Sequence, residues 1–143
     1  MELGEDMNEK TTLTFAFMDP PFESERTITF FRLLDSALDH GANIHVFAYE
    51  GAVALGFSKQ QAHGNGMHNR DTDEENHPLT KDWISALRNK ADNLQLEFNW
   101  VNCGLCVDER GVLESVHECK RGSPADFWQC AAASLNTLVI GTR

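Results

Sequence analysis

The run Thr12-Leu13-Thr14-Phe15-Ala16-Phe17-Met18 is an unbroken series of apolar and β-branched side chains, closed by Asp19-Pro20-Pro21. A short apolar run ending in a turn signal predicts a buried strand. Beyond it, Ile28, Phe31, Leu34 and Leu38 recur at helical spacing. Ser24 is placed to cap that helix and Gly41 to close it in the left-handed conformation, which predicts a helix of about four turns. A second apolar run, Asn43-Ile44-His45-Val46-Phe47-Ala48-Tyr49, follows at once. Strand, helix and strand in that order form a right-handed crossover between parallel strands, so the sheet is expected to be mainly parallel and covered by helices.

Working outward, residues 50–57 predict a short helix, whereas residues 58–79 carry His63, His68 and His77 among acids and glycines with almost no apolar positions. A loop of that length inside a compact domain is either functional or without fixed structure. Thr80 is placed to cap a helix through about Ala91, with Trp83, Ile84 and Leu87 on one face, and Leu94 to Val101 alternates as a strand. Ser123-Pro124-Ala125-Asp126 has the serine, first-turn proline and acid of a helix start, leading to about Ser134, and Thr137 to Ile140 reads as a closing strand. The expectation is a three-layer α/β sandwich of four or five strands, one domain over 11–143 behind a disordered leader at 1–10.

Composition narrows the function. A chain of 143 residues with 41% hydrophobic content can bury a core without staples. Its 12 basic residues stand against 22 acidic ones, a net charge of -10 that repels phosphate backbones and anionic lipid, so neither nucleic acid nor membrane is expected as a partner. With a polar, acidic start and no apolar run long enough to span a bilayer, the expected location is the cytoplasm. The four cysteines (Cys103, Cys106, Cys119 and Cys130) are then expected to be thiols rather than a disulfide framework.

The chemistry concentrates in Trp100-Val101-Asn102-Cys103-Gly104-Leu105-Cys106-Val107-Asp108-Glu109-Arg110-Gly111, read as a strand running into a short helix that Gly111 ends. Cys103 is thereby placed at the carboxyl edge of the sheet, where open α/β folds bind ligands, and at a helix start whose amides favour a thiolate. Cys106, about one helical turn on, faces the same side. Such a pair can form a disulfide, pass sulfur or share a metal.

Rival readings stay open at this point. A free cysteine is commonly just core packing. Zinc needs about four ligands, for which His117, Cys119 or a loop histidine would have to join the pair, and no second pair at zinc spacing is present. A thioredoxin-type redox pair matches Cys-Gly-Leu-Cys but comes late in the chain. Cys119, beside Lys120 and Arg121, is a candidate second reactive thiol, while Cys130 is read as packing, His45 as a satisfied strand residue and His40 as favourable at a helix end.

The pattern of a parallel α/β domain with Cys103 at a strand end, a short helix closing in Arg110-Gly111 and a last strand Leu138-Val139-Ile140 resembles the DsrE/TusD group of sulfur-carrier proteins. The resemblance implies that Cys103 accepts a persulfide sulfur, that Cys106 resolves or relays it, and that Gly104 and Arg110 support the site. It implies no cofactor, a homo-oligomer or a complex with sister subunits, and partners that are themselves sulfur-relay proteins. The alternative within the same fold is a non-catalytic binding or scaffolding subunit.

Overall fold

In the computed structural model residues 10–76 and 78–142 are described. The leader expected over 1–10 therefore lies, apart from Lys10, outside the described residues, as does His77. In chain order the elements are β1 (Thr12–Phe17), α1 (Arg26–Asp39), β2 (Asn43–Ala48), a 3-10 helix (Glu50–Ala54), α2 (Thr72–Glu75), α3 (Thr80–Asn93), β3 (Phe98–Cys103), α4 (Gly104–Arg110), β4 (Cys119–Gly122), α5 (Pro124–Ala133) and β5 (Asn136–Ile140). The strands form one five-stranded sheet in the order β4-β3-β2-β1-β5. Every pairing is parallel.

Alternation along the strands sends two sets of side chains to opposite faces. Phe15, Phe17, Ile44, Val46, Phe98 and Trp100 meet Phe30, Phe31, Leu34 and Leu38 of α1 and Ile84 and Leu87 of α3, all in one buried cluster. Phe30 stacks on Phe17 with ring centroids 4.4 Å apart, and Phe31 stacks on Trp83 of α3 at 4.7 Å. On the other face Phe47 of β2 stacks on Phe127 of α5 at 5.4 Å, and the Thr14 and Ser134 hydroxyls lie 2.6 Å apart. Helices on both faces of a parallel sheet make the three layers.

Several boundaries differ from the sequence reading. The N-cap of α1 is Glu25, not Ser24, because the Ser24 hydroxyl donates to Asp19 at 2.6 Å. Likewise Leu79 precedes α3, while the Thr80 hydroxyl turns inward to donate to the Leu55 carbonyl at 2.7 Å. β3 starts at Phe98 rather than Leu94 and runs through Cys103. The strand β4, Cys-Lys-Arg-Gly, was not located within the four or five strands expected: its charges suit an edge strand and hide any apolar pattern. The polar stretch after residue 58 contains local order, with a bridge between Asn65 and Arg70 and the helix α2 capped by Asp71, whose carboxylate accepts from the Glu74 amide at 2.9 Å. Gly41 takes the left-handed φ of 81° that the helix end requires.

Asp19 follows β1 and is only 1% exposed. Burial alone would lift its pKa, but hydrogen bonds from Ser24 and from Arg26 Nε at 2.8 Å, with the Arg26 charge, hold it below its ordinary value of 3.8. A carboxylate whose folded pKa is depressed adds stability that is complete above its unfolded pKa and lost as pH falls through the folded one. Asp19→Asn is therefore expected to cost about 1–3 kcal/mol near neutral pH. Urea titrations should show that deficit narrowing toward about pH 2; a deficit independent of pH would mean that Asp19 is not ionised in the fold.

Candidate functional site

Because β3 ends at Cys103 and α4 begins at Gly104, a single residue serves as last strand position and helix N-cap, with extended φ and ψ of -60° and 117°. Gly111 closes α4 at φ 66°. Cys103 is 6% exposed and packs with Phe47, Val53 and Val107, with Tyr49, Cys106 and Phe127 around them. The short helix therefore covers the thiol at the carboxyl edge rather than leaving it open.

Cys106 lies on the first turn of α4, half-buried, and shares a hydrogen bond with Cys103. Burial pushes its thiol pKa up and the Cys103 hydrogen bond pushes the same way, while a hydrogen bond from the Glu50 backbone and the charge of Arg110 pull it down. Glu50 adopts a left-handed φ of 51°, an uncommon conformation for a side chain of that type, at the turn from Tyr49 into the 3-10 helix. That turn brings the Glu50 amide to the Cys106 sulfur.

The other expected positions fall as follows. Gly104 is in the site: a Cβ there would come 2.8 Å from Arg121 Nε. Arg110 pairs with Glu109 at 3.6 Å and acts on Cys106. Arg121, assigned by sequence proximity to Cys119, instead grips Asp108 of α4 with Nη1 at 2.8 Å and Nη2 at 2.5 Å. That bidentate pair lowers the Asp108 pKa and raises that of Arg121, to which Cys103 also contributes. Neither Glu50 nor Arg121 was singled out for this site, since nothing short of the pairing of β4 on β3 brings Arg121 opposite Asn102.

Cys119 is not placed as a second reactive thiol would be. It packs against the main core beside Gly56, and burial, with Glu118 nearby, pushes its pKa up to about 12. Cys130 is also raised, by burial and then by Asp126. His45 is half-buried in β2 with Nδ1 3.3 Å from Asn99 Nδ2, and burial lowers its pKa. His40 Nδ1 lies 2.7 Å from the Ser36 carbonyl at the end of α1. His63 and His68 are exposed in the loop, and His117 is exposed beside Glu118. Among the described residues no three His, Cys, Asp or Glu side chains converge as a metal site would need. No helix among them is long and apolar enough to cross a membrane.

A family model described as DsrE/DsrF-like matches residues 12–139. The chain belongs to the DsrE/DsrF-like family. Among solved structures it is similar to the crystal structure of the ychN protein from E. coli, with a TM-score of 0.66 over 92% of this chain and 99% of that one. At 16% identity that likeness concerns the fold, which is the α/β arrangement expected for the family. No curated protein matches the chain significantly.

The thiol environments rank the cysteines. Near neutral pH, Cys103 is expected to alkylate ahead of Cys130, with Cys119 slowest by at least about a hundredfold, because only thiolates react and burial suppresses that form at Cys119. Peptide mapping after timed iodoacetamide treatment measures the order; equal rates at all four cysteines would remove any special status from Cys103.

Proposed function

We propose that the protein is a sulfur carrier in which Cys103 holds a persulfide and Cys106 resolves or relays it. The observation that supports this most is the hydrogen bond between the two thiols at the carboxyl edge of the sheet, in a chain of the DsrE/DsrF-like family. The Cys103 thiolate attacks the outer sulfur of a donor persulfide, the donor S–S bond breaks, and the donor thiolate leaves and takes up a proton. An acceptor thiolate then removes the outer sulfur from Cys103. When no acceptor is present, the Cys106 thiolate attacks the Cys103 sulfur itself, expels hydrosulfide and leaves a Cys103–Cys106 disulfide. The same hydrogen bond favours a second reading, a dithiol redox protein that never carries sulfur.

Partners in this reading are sister subunits or another carrier. Support comes from an uncovered apolar surface: Trp128 and Leu135 are 72% and 78% exposed, Leu138 and Val139 of β5 are also exposed, and α5 buries none of its residues. Among the described residues β5 pairs only with β1, so its outer side is an open sheet edge among them. A second copy of the chain covering this surface satisfies both features.

Intact mass after incubation with a persulfide donor distinguishes the chemistry. Sulfur loading adds about 32 daltons per atom and a disulfide removes about 2 daltons. Cys103→Ser is expected to abolish the gain with the fold intact, since the serine hydroxyl stays protonated; a gain that survives would move the role elsewhere. For assembly, light scattering should find a multiple of 16.0 kDa, and Leu138→Glu should shift it toward the monomer by placing a charge at a desolvated contact. A wild-type monomer at micromolar concentration would rule out the homo-oligomer.

A further inference from the structure

We propose that Arg121 is the positioning residue that holds the Cys103 sulfur as an anion, and that position 104 is glycine so that the Arg121 guanidinium can lie across the start of α4. The proposal deepens the sulfur-carrier reading and rests on Cys103 being the carrying thiol.

The need for such a residue follows from two properties. Cys103 is 6% exposed, so its anion loses most of its water, and a buried anion without a counter-charge is costly. The chain as a whole carries -10, a field that further opposes negative charge on sulfur. The charged and titratable groups around the pair are few. From α4 come Cys106, Asp108 and Arg110; from the turn after β2, Tyr49 and Glu50; from the start of α5, Asp126; and from β4, Arg121. Of the two cations, Arg110 acts on Cys106. Arg121 interacts electrostatically with Cys103.

Three features fix Arg121 in place. The register sets Arg121 opposite Asn102 and Gly122 opposite Cys103, so β4 delivers the side chain next to the thiol strand. Asp108 grips both Nη atoms, at 2.8 and 2.5 Å, and such a fork orients the guanidinium as a point charge on lysine would not. Gly104 leaves the space: a Cβ would lie 2.8 Å from Nε and 3.2 Å from Cγ and Cζ of Arg121. Asp108 offsets part of the charge at the Nη tips, while the Nε side of the group lies over Gly104, next in the chain to Cys103. Both side chains of the pair are half-exposed, so water screens Arg121 as well as Asp108.

The test is the pH midpoint of Cys103 alkylation by iodoacetamide, read by fragmentation of the labelled peptide. It is compared among the wild type, Arg121→Gln, Arg121→Lys and Gly104→Ala. Removing the charge should raise the midpoint by about one pH unit in Arg121→Gln, since an anion loses its cation. Gly104→Ala should raise it too, by displacing the guanidinium, and Arg121→Lys should restore about half the difference. Continued protection of Cys119 in each variant shows that the fold is intact. An Arg121→Gln midpoint within about 0.2 unit of the wild type, with Cys119 still protected, would overturn the proposal. Uptake of sulfane sulfur is measured separately on the same samples. The expected midpoint shifts in a wild type that takes up no sulfur would support Arg121 while defeating the carrier reading.

Discussion

All five strands run in one direction, and the arrangement of the site follows from that constraint. In a parallel sheet every strand presents its carboxyl end to the same edge, so segments distant in sequence meet there. β2 delivers Tyr49 and Glu50, β3 delivers Cys103, and β4 delivers Arg121 and Gly122. None of these contacts is local except the one between Cys103 and Cys106. Residues in the sheet's core hold the edge in register: Trp100 stacks with Phe31 at 6.2 Å and donates through Nε1 to Asn102 at 2.9 Å, two residues along the same strand. The residue before Cys103 is therefore fixed by a buried aromatic.

The parts of the fold readable from sequence are those with strong periodicity. β1, α1 and β2 come from apolar runs and from helical spacing; Phe31, Leu34 and Leu38 point to the buried cluster they occupy, but Ile28, read with them, is exposed and Phe30 is buried instead. Side-chain hydrogen bonds moved the helix starts, since Ser24 and Thr80 serve Asp19 and Leu55 instead of the first helical amides. A hydroxyl near a helix start has several acceptors within reach, and only tertiary structure selects one. β4 was illegible for a different reason. Four residues are too few for a period, and charges at Lys120 and Arg121 are what an edge strand carries to resist further pairing.

At the site, the dithiol was legible because two thiol side chains lie one helical turn apart after a strand. The groups that tune it were not. Glu50 acts through its backbone amide, which no residue type announces, and Arg121 acts across a strand pairing. Sequence proximity assigned Arg121 to Cys119, two positions away, but the side chain spans α4 while Cys119 turns into the core beside Gly56. A cation near a cysteine in sequence says little until the direction of both side chains is known.

The two thiols of the pair are unequal, and the inequality bears on what each can do. Cys103 is the more enclosed, packed among Phe47, Val53 and Val107, whereas Cys106 is half-buried and receives the Glu50 amide. In the proposed carrier reading, a persulfide on the enclosed sulfur would be shielded from stray thiols in solution until a partner docks. The same enclosure sets Cys106 as the nearest competing nucleophile. Burial and the Cys103 hydrogen bond raise the Cys106 pKa, so its thiolate is scarce near neutral pH and the internal attack that would expel hydrosulfide is slowed. In the carrier reading, retention of sulfur thus depends on keeping Cys106 protonated. Cations on two different elements reach the pair, Arg121 toward Cys103 and Arg110 toward Cys106.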